Sequence, residues 1–118
     1  MWKRASPIRM KKMKSRSPKA EVLSLLGIAQ RAGAVVRGTE GTRHAIRRTE
    51  ARLLILAEDG SKTQREKILP LAEARGIPWE VLGSMDELGA ALGSGPLAAL
   101  AVTRRRFSRE IRRRLGRE

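Results

Sequence analysis

The sequence predicts an α/β protein built as a three-layer α/β/α sandwich, with helices on both faces of a four-stranded mixed sheet. Three observations support this prediction. Short apolar segments alternate along the chain with segments of helical period. Two of the apolar segments, 52–59 and 97–103, are continuous runs of the kind found in strands buried on both faces. Capping residues precede the helical segments and glycines follow them.

The predicted elements follow the order α-β-α-β-α-β-α-β-α. In chain order they are a helix closing at Gly33, a strand at 34–37, a helix at 39–49, a strand at 52–59, a helix closing at Gly76, a strand at 77–83, a helix closing at Gly93, a strand at 97–103 and a helix at 104–115. Because strands and helices alternate, we expect one sheet that is covered on both sides.

Local signals justify the first two helices. Ser17 is an expected N-cap, with Pro18 at the first helical position, where its missing N–H costs nothing. Gly33 suits the left-handed residue that follows a helix. The second helix carries an inward-facing stripe at i, i+3, i+4 and i+7. Its members are Thr42, Ala45, Ile46 and Thr49.

The later helices have equally local signals. Ser61 with Gln64 predicts a capping box that opens the third helix, and Pro70 inside that helix is expected to kink or split it. A second capping box, Ser84 with Glu87, predicts the start of the fourth helix. The last helix carries an apolar stripe at i, i+4 and i+8, formed by Phe107, Ile111 and Leu115.

The charge of the chain, +14 at neutral pH, is unevenly placed. Residues 1–20 carry eight Lys or Arg and no acid, and residues 104–118 carry eight Arg against two Glu. A further basic stripe, 31–52, holds six Arg against two Glu, whereas 53–103 is net acidic. Residues 21–103 as a whole carry ten cations and ten anions. Basic ends around such a neutral middle are typical of nucleic-acid binders. The alternative is that these charges only form solvated faces.

The chain divides into a disordered basic arm at 1–17 and one domain at 18–116. Pro7 and Pro18 interrupt the arm, which lacks helical or strand period. Its acid-free composition also resembles a transit peptide, although the prolines oppose the amphipathic helix such a peptide forms. The chain has no cysteine and no apolar run long enough to span a membrane. We therefore expect a cytoplasmic protein without a membrane partner.

Residues suited to catalysis are scarce. His44 is the only histidine, tyrosine and cysteine are absent, and no glycine-rich phosphate motif occurs. Glu58 and Asp59 end a predicted strand, but neighbouring residues of a strand point to opposite faces. We expect Asp59 to accept hydrogen bonds from backbone donors in the turn toward Ser61. The sequence therefore predicts a protein that is not an enzyme and needs no cofactor or metal.

The stretch GTEGTRHAIRR at 38–48 is the candidate binding element. A helix start presents unpaired N–H groups and a partial positive charge, which favour phosphate. Gly38 and Gly41 place no side chain in the way of such a ligand. The basic side chains that follow are Arg43, His44, Arg47 and Arg48. The two glycines also match the GxxG loop of KH domains, but that loop lies between two helices, whereas this one follows a strand.

Four blocks resemble the kink-turn RNA-binding ribosomal protein family of the L7Ae/L30e type, and within it the small bacterial YlxQ-like members. They are LLGIAQRAGAVVRGTEGTRHAIRR (25–48), ARLLILAEDGS (51–61), GIPWEVLGSMDELGAALG (76–93) and PLAALAVTRRRF (96–107). The resemblance covers roughly residues 20–110 and implies the same α/β/α fold. The basic arm at 1–17 lies outside the region of resemblance.

The resemblance also implies two contacts with a sharply bent RNA. The start of the second helix enters the groove beside tandem sheared G·A pairs, which maps to Gly38, Thr39, Glu40, Gly41 and His44. A loop before the last strand covers a flipped-out base, which maps to Gly95, Pro96, Leu97 and Ala98, with Ser61 and Met85 as pocket wall. This chain departs from stronger members, which have Asn-Glu at Glu40-Gly41 and Lys at His44. The groups that read guanine edges are altered, and backbone binding through Arg43, Arg47 and Arg48 is retained.

We therefore expect a non-enzymatic, ribosome-associated RNA-binding protein, a monomer that docks helix 39–49 and loop 94–98 on structured, kink-turn-like RNA. Two alternatives stay open. The domain could be the substrate-binding module of an RNA-modifying system, since some RNA ribose methyltransferases carry a domain of similar fold. It could also be a protein-interaction module that uses the acidic segment 53–103.

Overall fold

The chain folds as one α/β/α sandwich in a computed structural model that describes residues 17–117. The elements are α1 (Pro18–Arg31), β1 (Val35–Arg37), α2 (Thr39–Arg47), β2 (Leu53–Leu56), α3 (Lys62–Ala74), β3 (Trp79–Val81), α4 (Met85–Ala91), β4 (Ala99–Val102) and α5 (Arg105–Arg114). Their order is the predicted one. The predicted basic arm lies outside the described residues except for Ser17.

The four strands form one mixed sheet in the order β1-β4-β2-β3. β4 is antiparallel to both of its neighbours, and β2 is parallel to β3. The register pairs Leu53 with Val102 and Leu56 with Ala99 across the central strands. The predicted four-stranded mixed sheet is confirmed. Because of these strand directions, β1, β2 and β3 all end at the same edge of the sheet, and β4 begins there.

Both faces of the sheet are covered, as predicted. Every residue of β2 and β4 is buried, because successive side chains point alternately to the two faces. On one face Leu53, Ile55, Leu100 and Val102 pack against α1, α4 and α5. On the other face Leu54, Leu56, Ala99 and Ala101 pack against α2 and α3. The burial of each large aliphatic side chain contributes about 1.5–3 kcal/mol.

Side-chain caps fix the starts of three helices. The Ser17 hydroxyl accepts from the N–H of Ala20 at 3.1 Å, and the Ser61 hydroxyl accepts from Gln64 at 3.1 Å. The full reciprocal box occurs at α4, where Glu87 N–H donates to the Ser84 hydroxyl and Ser84 N–H donates to Glu87 Oε1. The three predicted helix starts and the Ser84–Glu87 box are therefore confirmed, whereas at Ser61 and Gln64 only the serine half of the predicted box forms.

Two details differ from the sequence expectations. Thr49 does not extend the inner stripe of α2, because the helix ends at Arg47 and Thr49 is exposed with a left-handed φ of 58°. Pro70 does not split α3, which runs through it as one helix. Pro70 has no N–H to donate to the carbonyl of Glu66, four residues earlier. Both residues are exposed, so water can satisfy that carbonyl.

Between residues 17 and 117, none of the helices is long and apolar enough to cross a bilayer.

Candidate nucleic-acid interface

The start of α2 is held open by Gly38. Its φ of 86° and ψ of 165° lie in a region that is essentially restricted to glycine. Its N–H donates to the carbonyl of Ala99 at 2.9 Å, and its carbonyl accepts the N–H of Thr42 at 2.9 Å. No side chain caps this helix, and a Cβ at Gly38 would meet nothing within 4 Å. The first turn of α2 therefore presents backbone donors in an open space.

Gly41 has a different reason to be glycine. A Cβ there would lie 2.8 Å from Cγ1 of Val36 on β1. The missing side chain thus lets α2 approach the sheet closely. This packing role was not part of the sequence interpretation, which assigned both glycines to ligand approach.

The cations of α2 differ in their partners. The Arg43 guanidinium contacts the Glu40 carboxylate at 3.0 Å, and Arg48 Nε lies 3.7 Å from Glu50. His44 and Arg47 are exposed, and within residues 17–117 Arg47 forms no ion pair. Arg47 is consequently the α2 arginine that is most available to an external anion. The basic side chains predicted on α2 are therefore only partly free of ion pairs within the fold.

Arg75 fixes the far end of α2. Its guanidinium donates to the carbonyl of Ile46 at 2.9 Å and to that of Arg47 at 3.1 Å. These bonds add to the satisfaction of carbonyls at the helix end, where the Ile46 carbonyl also accepts the N–H of Thr49 at 3.1 Å. The helix is therefore anchored at both ends, by Ala99 at its start and by Arg75 at its finish.

Three backbone hydrogen bonds hold loop 94–98, one to Ala57 after β2 and two to α4. Ala98 accepts from Ala57 N–H at 2.9 Å, and Leu97 N–H donates to Met85 at 3.0 Å. Ser94 N–H donates to Gly89 at 2.8 Å. Gly95 and Pro96 remain exposed at the tip. The loop thus presents a small apolar tip on a fixed base.

Gly89 lies inside α4, directly beneath that loop. A Cβ at Gly89 would lie 2.1 Å from the Gly95 carbonyl oxygen and 3.0 Å from that of Ser94. No other residue could occupy this position without moving the loop. The sequence analysis did not include Gly89, although a glycine within a helix is itself a signal of close packing.

The two predicted pocket-wall residues lie beside the loop. Met85 accepts from Leu97, as described, and Ser61 follows Gly60, where a Cβ would lie 3.6 Å from Ala98 Cβ. Asp59 joins these segments, because its carboxylate accepts from the N–H of Met85 at 2.8 Å. The structural role expected for Asp59 is thus present, but the expected partner in the turn toward Ser61 is wrong.

Two arginines missed by the sequence analysis complete this edge. Arg65 donates to the carbonyls of Ala57 at 2.6 Å and Glu58 at 3.2 Å, and so holds the turn after β2. Arg37 ends β1 just before Gly38, is exposed and, in the described part of the chain, forms no ion pair. A side-chain contact with carbonyls seven and eight residues earlier, such as that of Arg65, has no characteristic spacing signal in the sequence.

The predicted contacts therefore lie side by side at one sheet edge. The start of α2, loop 94–98, Ser61 and Met85 meet there, joined by the bond from Gly38 to Ala99. Arg47 and Arg48 lie at the other end of α2, about 12 Å away at 1.5 Å per residue. Residues 17–117 contain no group of three acidic or histidine side chains that could hold a metal ion.

Comparisons with known proteins agree with the resemblance seen in the sequence. Residues 20–112 match the ribosomal protein L7Ae/L30e/S12e/Gadd45 family. The RNA-binding protein YlxQ of Bacillus subtilis (strain 168) is 31% identical over 91 residues, 77% of this chain and 91% of that protein. The solved structure of a protein of unknown function from Bacillus halodurans gives a TM-score of 0.78 at 31% identity, covering 82% of this chain and 98% of the other.

A eukaryotic structure extends this agreement. The 15.5 kD RNA binding protein of Giardia lamblia gives a TM-score of 0.71 at 25% identity, covering 84% of this chain and 85% of the other. The family match spans most of the chain, and the two solved structures cover 82% and 84% of it. The chain therefore belongs to the ribosomal protein L7Ae/L30e/S12e/Gadd45 family.

Proposed function

We propose that this chain is a non-enzymatic RNA-binding protein whose α2 start and loop 94–98 together grip structured RNA. One observation carries the proposal. The uncapped helix start lies directly beside an apolar loop, and the bond from Gly38 to Ala99 fixes the two relative to each other. The names of the Bacillus subtilis and Giardia lamblia relatives, both described as RNA-binding proteins, support the same class of ligand.

Each half of this interface suits a different part of an RNA. Backbone N–H groups at the start of α2 favour a phosphate or a base-edge acceptor. The exposed tip of Gly95 and Pro96, backed by the partly buried Leu97, suits an unstacked base. Arg37, just before Gly38, adds unpaired positive charge beside the start of α2, and Arg47 adds another at the far end of that helix. A kink-turn-like RNA offers both features at once, a bent backbone and a flipped base.

Recognition in this proposal depends more on shape and backbone than on base edges. The Glu40 carboxylate forms an ion pair with Arg43 at 3.0 Å, and Gly41 has no side chain that could contact a base edge. Phosphate contacts position a protein without carrying sequence information. We further propose that the protein acts as a cytoplasmic monomer in association with ribosomal RNA. RNA crosslinking in cells followed by sequencing tests that assignment.

The interface is tested by titrating the full chain with a kink-turn RNA and with a straight duplex of equal composition at low salt. The informative variant is Thr39→Asp, which adds a carboxylate to the first turn of α2. An acid there stabilises a helix but repels phosphate. Thr63→Asp is the matched control, because it places the same charge in the first turn of α3.

We expect Thr39→Asp to weaken RNA binding by about tenfold or more, while Thr63→Asp changes it by less than about twofold. Tighter binding of the kink-turn than of the duplex supports the assigned ligand. Absence of RNA binding by the wild-type chain at low salt would overturn the proposal. In that case the acidic segment 53–103 becomes the surface to test for a protein partner.

A further inference from the structure

A second basic surface lies at the opposite sheet edge, where β4 ends and α5 begins. It surrounds a hollow of about 420 Å³ between this edge and the turn after α2. The hollow is lined by Gly33, Val36, Thr49, Glu50, Arg52, Thr103 and Arg104. Neither Arg52 nor Arg104 belongs to the interface proposed above.

The backbone around this hollow is firmly held. Arg52 N–H donates to the Val102 carbonyl at 2.8 Å, and the Ser108 hydroxyl donates to the Arg52 carbonyl at 3.4 Å. Thr103 N–H donates to the carbonyl of Ala34 at 2.8 Å. These bonds tie the turn before β2, the end of β4 and the first turn of α5 together. Arg52 and Arg104 therefore extend from fixed positions on a shared rim.

The arginines of this rim contrast with three arginines farther along the C-terminal segment. Arg113 and Arg114 contact Glu110 at 2.7 and 2.8 Å, and Arg117 contacts Glu80 at 3.0 Å. Those cations are neutralised within the fold. These three charges thus have an evident structural use.

The rim has no such neutralisation. Within residues 17–117, Arg52, Arg104 and the adjacent Arg105 and Arg106 form no ion pair. The one acid among the lining residues is Glu50, which lies 3.7 Å from Arg48. The first turn of α5 contains no acid. Arg52 and Arg104 are therefore two unpaired like charges in the lining of one hollow. They repel each other, and a polyanion relieves that repulsion.

We propose that this hollow is a second RNA-binding surface, in which Arg52 and Arg104 hold phosphates of the backbone that flanks the segment gripped at the start of α2. The guanidinium groups suit this ligand because they contact phosphate oxygens in a bidentate manner. α2 spans the roughly 12 Å between the two edges, and Thr49, two residues after the unpaired Arg47, lines the hollow. This inference rests on the proposed function, because it assumes the same RNA.

The test uses the full chain and two double variants that remove equal charge. Arg52→Gln with Arg104→Gln removes the rim cations. Arg113→Gln with Arg117→Gln removes two cations that already contact carboxylates, and is the matched control. Affinity for the kink-turn RNA is measured across a salt series, and thermal melting of each variant verifies folding.

We expect the rim variant to lose about tenfold or more in affinity at low salt. The slope of log Kd against log salt should fall by about 1.4–1.8, since each lost phosphate contact removes about 0.7–0.9. The control pair should change the slope much less. Arg52→Lys with Arg104→Lys, which keeps the charge, should retain the slope and lose part of the affinity. Equal effects of the rim and control pairs, or no effect of either, would overturn the inference.

The two proposals fail in different ways. Loss of binding by the rim variant with no effect of Thr39→Asp would refute docking at α2 and leave the hollow as the RNA site. Loss of binding by Thr39→Asp with no effect of the rim variant would refute the hollow as an RNA-binding surface and leave docking at α2 in place. A wild-type chain that binds no RNA at low salt would refute both.

Discussion

The N–H of Gly38 donates to the carbonyl of Ala99 at 2.9 Å, across 61 residues of sequence. Gly38 begins α2, and Ala99 is the first residue of β4, directly after loop 94–98. This one bond fixes the distance between the two halves of the proposed RNA interface. It forms because β1 and β4 are antiparallel neighbours, so the residue after β1 faces the start of β4. Substitutions that strain the backbone at Gly38 should therefore affect both the start of α2 and loop 94–98.

Gly38→Ala is expected to destabilise the domain by about 1–3 kcal/mol, because an alanine is strained at φ 86° and ψ 165°. The surrounding space is open, so backbone strain and not a clash is the cause. Urea unfolding measures the effect. Gly95→Ala is the control, since that site is also open but has no positive φ, and its change should stay within about 0.5 kcal/mol. Equal stability of the two variants would contradict the strain.

Gly89→Ala sets two effects against each other. Helix propensity alone favours alanine by about 1 kcal/mol, but its Cβ would lie 2.1 Å from the Gly95 carbonyl oxygen. Because the obstacle is backbone, loop 94–98 must move, and we expect a net loss of about 1–3 kcal/mol. RNA affinity should fall together with stability in urea unfolding and RNA titration. A stabilised variant would show that loop and helix are not in this contact.

Asp59→Ala tests the link between the turn after β2 and α4. The lost acceptor leaves the Met85 N–H without its 2.8 Å bond, which should cost about 1 kcal/mol, as for a helix cap. Glu58→Ala is the neighbouring control, because the Glu58 side chain is exposed and only its backbone makes bonds. Denaturant midpoints compare the two. A larger loss for Glu58→Ala would contradict the assigned role of Asp59.

The sequence was sufficient for the features that depend on local pattern. The Ser84–Glu87 box and the buried runs of β2 and β4 follow from residues that are close in the chain. The three-layer fold followed from their order. The grouping of Gly38 with loop 94–98 came from the resemblance to a family, because no local pattern states that two segments 61 residues apart will meet.

The missed features depend on tertiary contacts. Asp59 lies 26 residues from its partner Met85, and Arg75 lies 29 residues from the Ile46 carbonyl it caps. Gly41 is explained by Val36 only once β1 and α2 are packed. Whether an arginine is free or paired also cannot be read from spacing alone. Arg117 finds Glu80 on β3, whereas Arg52 finds no carboxylate within the described chain.

The pKa of Glu87 gives the last prediction. It is lowered, first by the hydrogen bond from the Ser84 backbone and next by the Lys19 ammonium, which lies 3.2 Å from Glu87 Oε2. A carboxylate with a lowered folded-state pKa stabilises the fold above its ordinary pKa, and this contribution is lost as the pH falls through the folded value. We therefore expect stability to decline on acidification below about pH 5, partly through Glu87.

Glu87→Gln should reduce that decline while keeping the box, because a glutamine oxygen can still accept from Ser84 N–H. Urea midpoints of the wild type and of Glu87→Gln, measured from neutral to acidic pH, should converge as the pH falls, since the wild-type carboxyl is then also uncharged. Asp86→Asn is the control on the same turn, with an exposed side chain that forms no ion pair in the described residues. Parallel pH curves for the wild type and Glu87→Gln would show that the Glu87 charge does not contribute to folding. In that case the hydrogen bonds of the Ser84–Glu87 box, and not the charge of Glu87, would fix the start of α4 and the position of Met85.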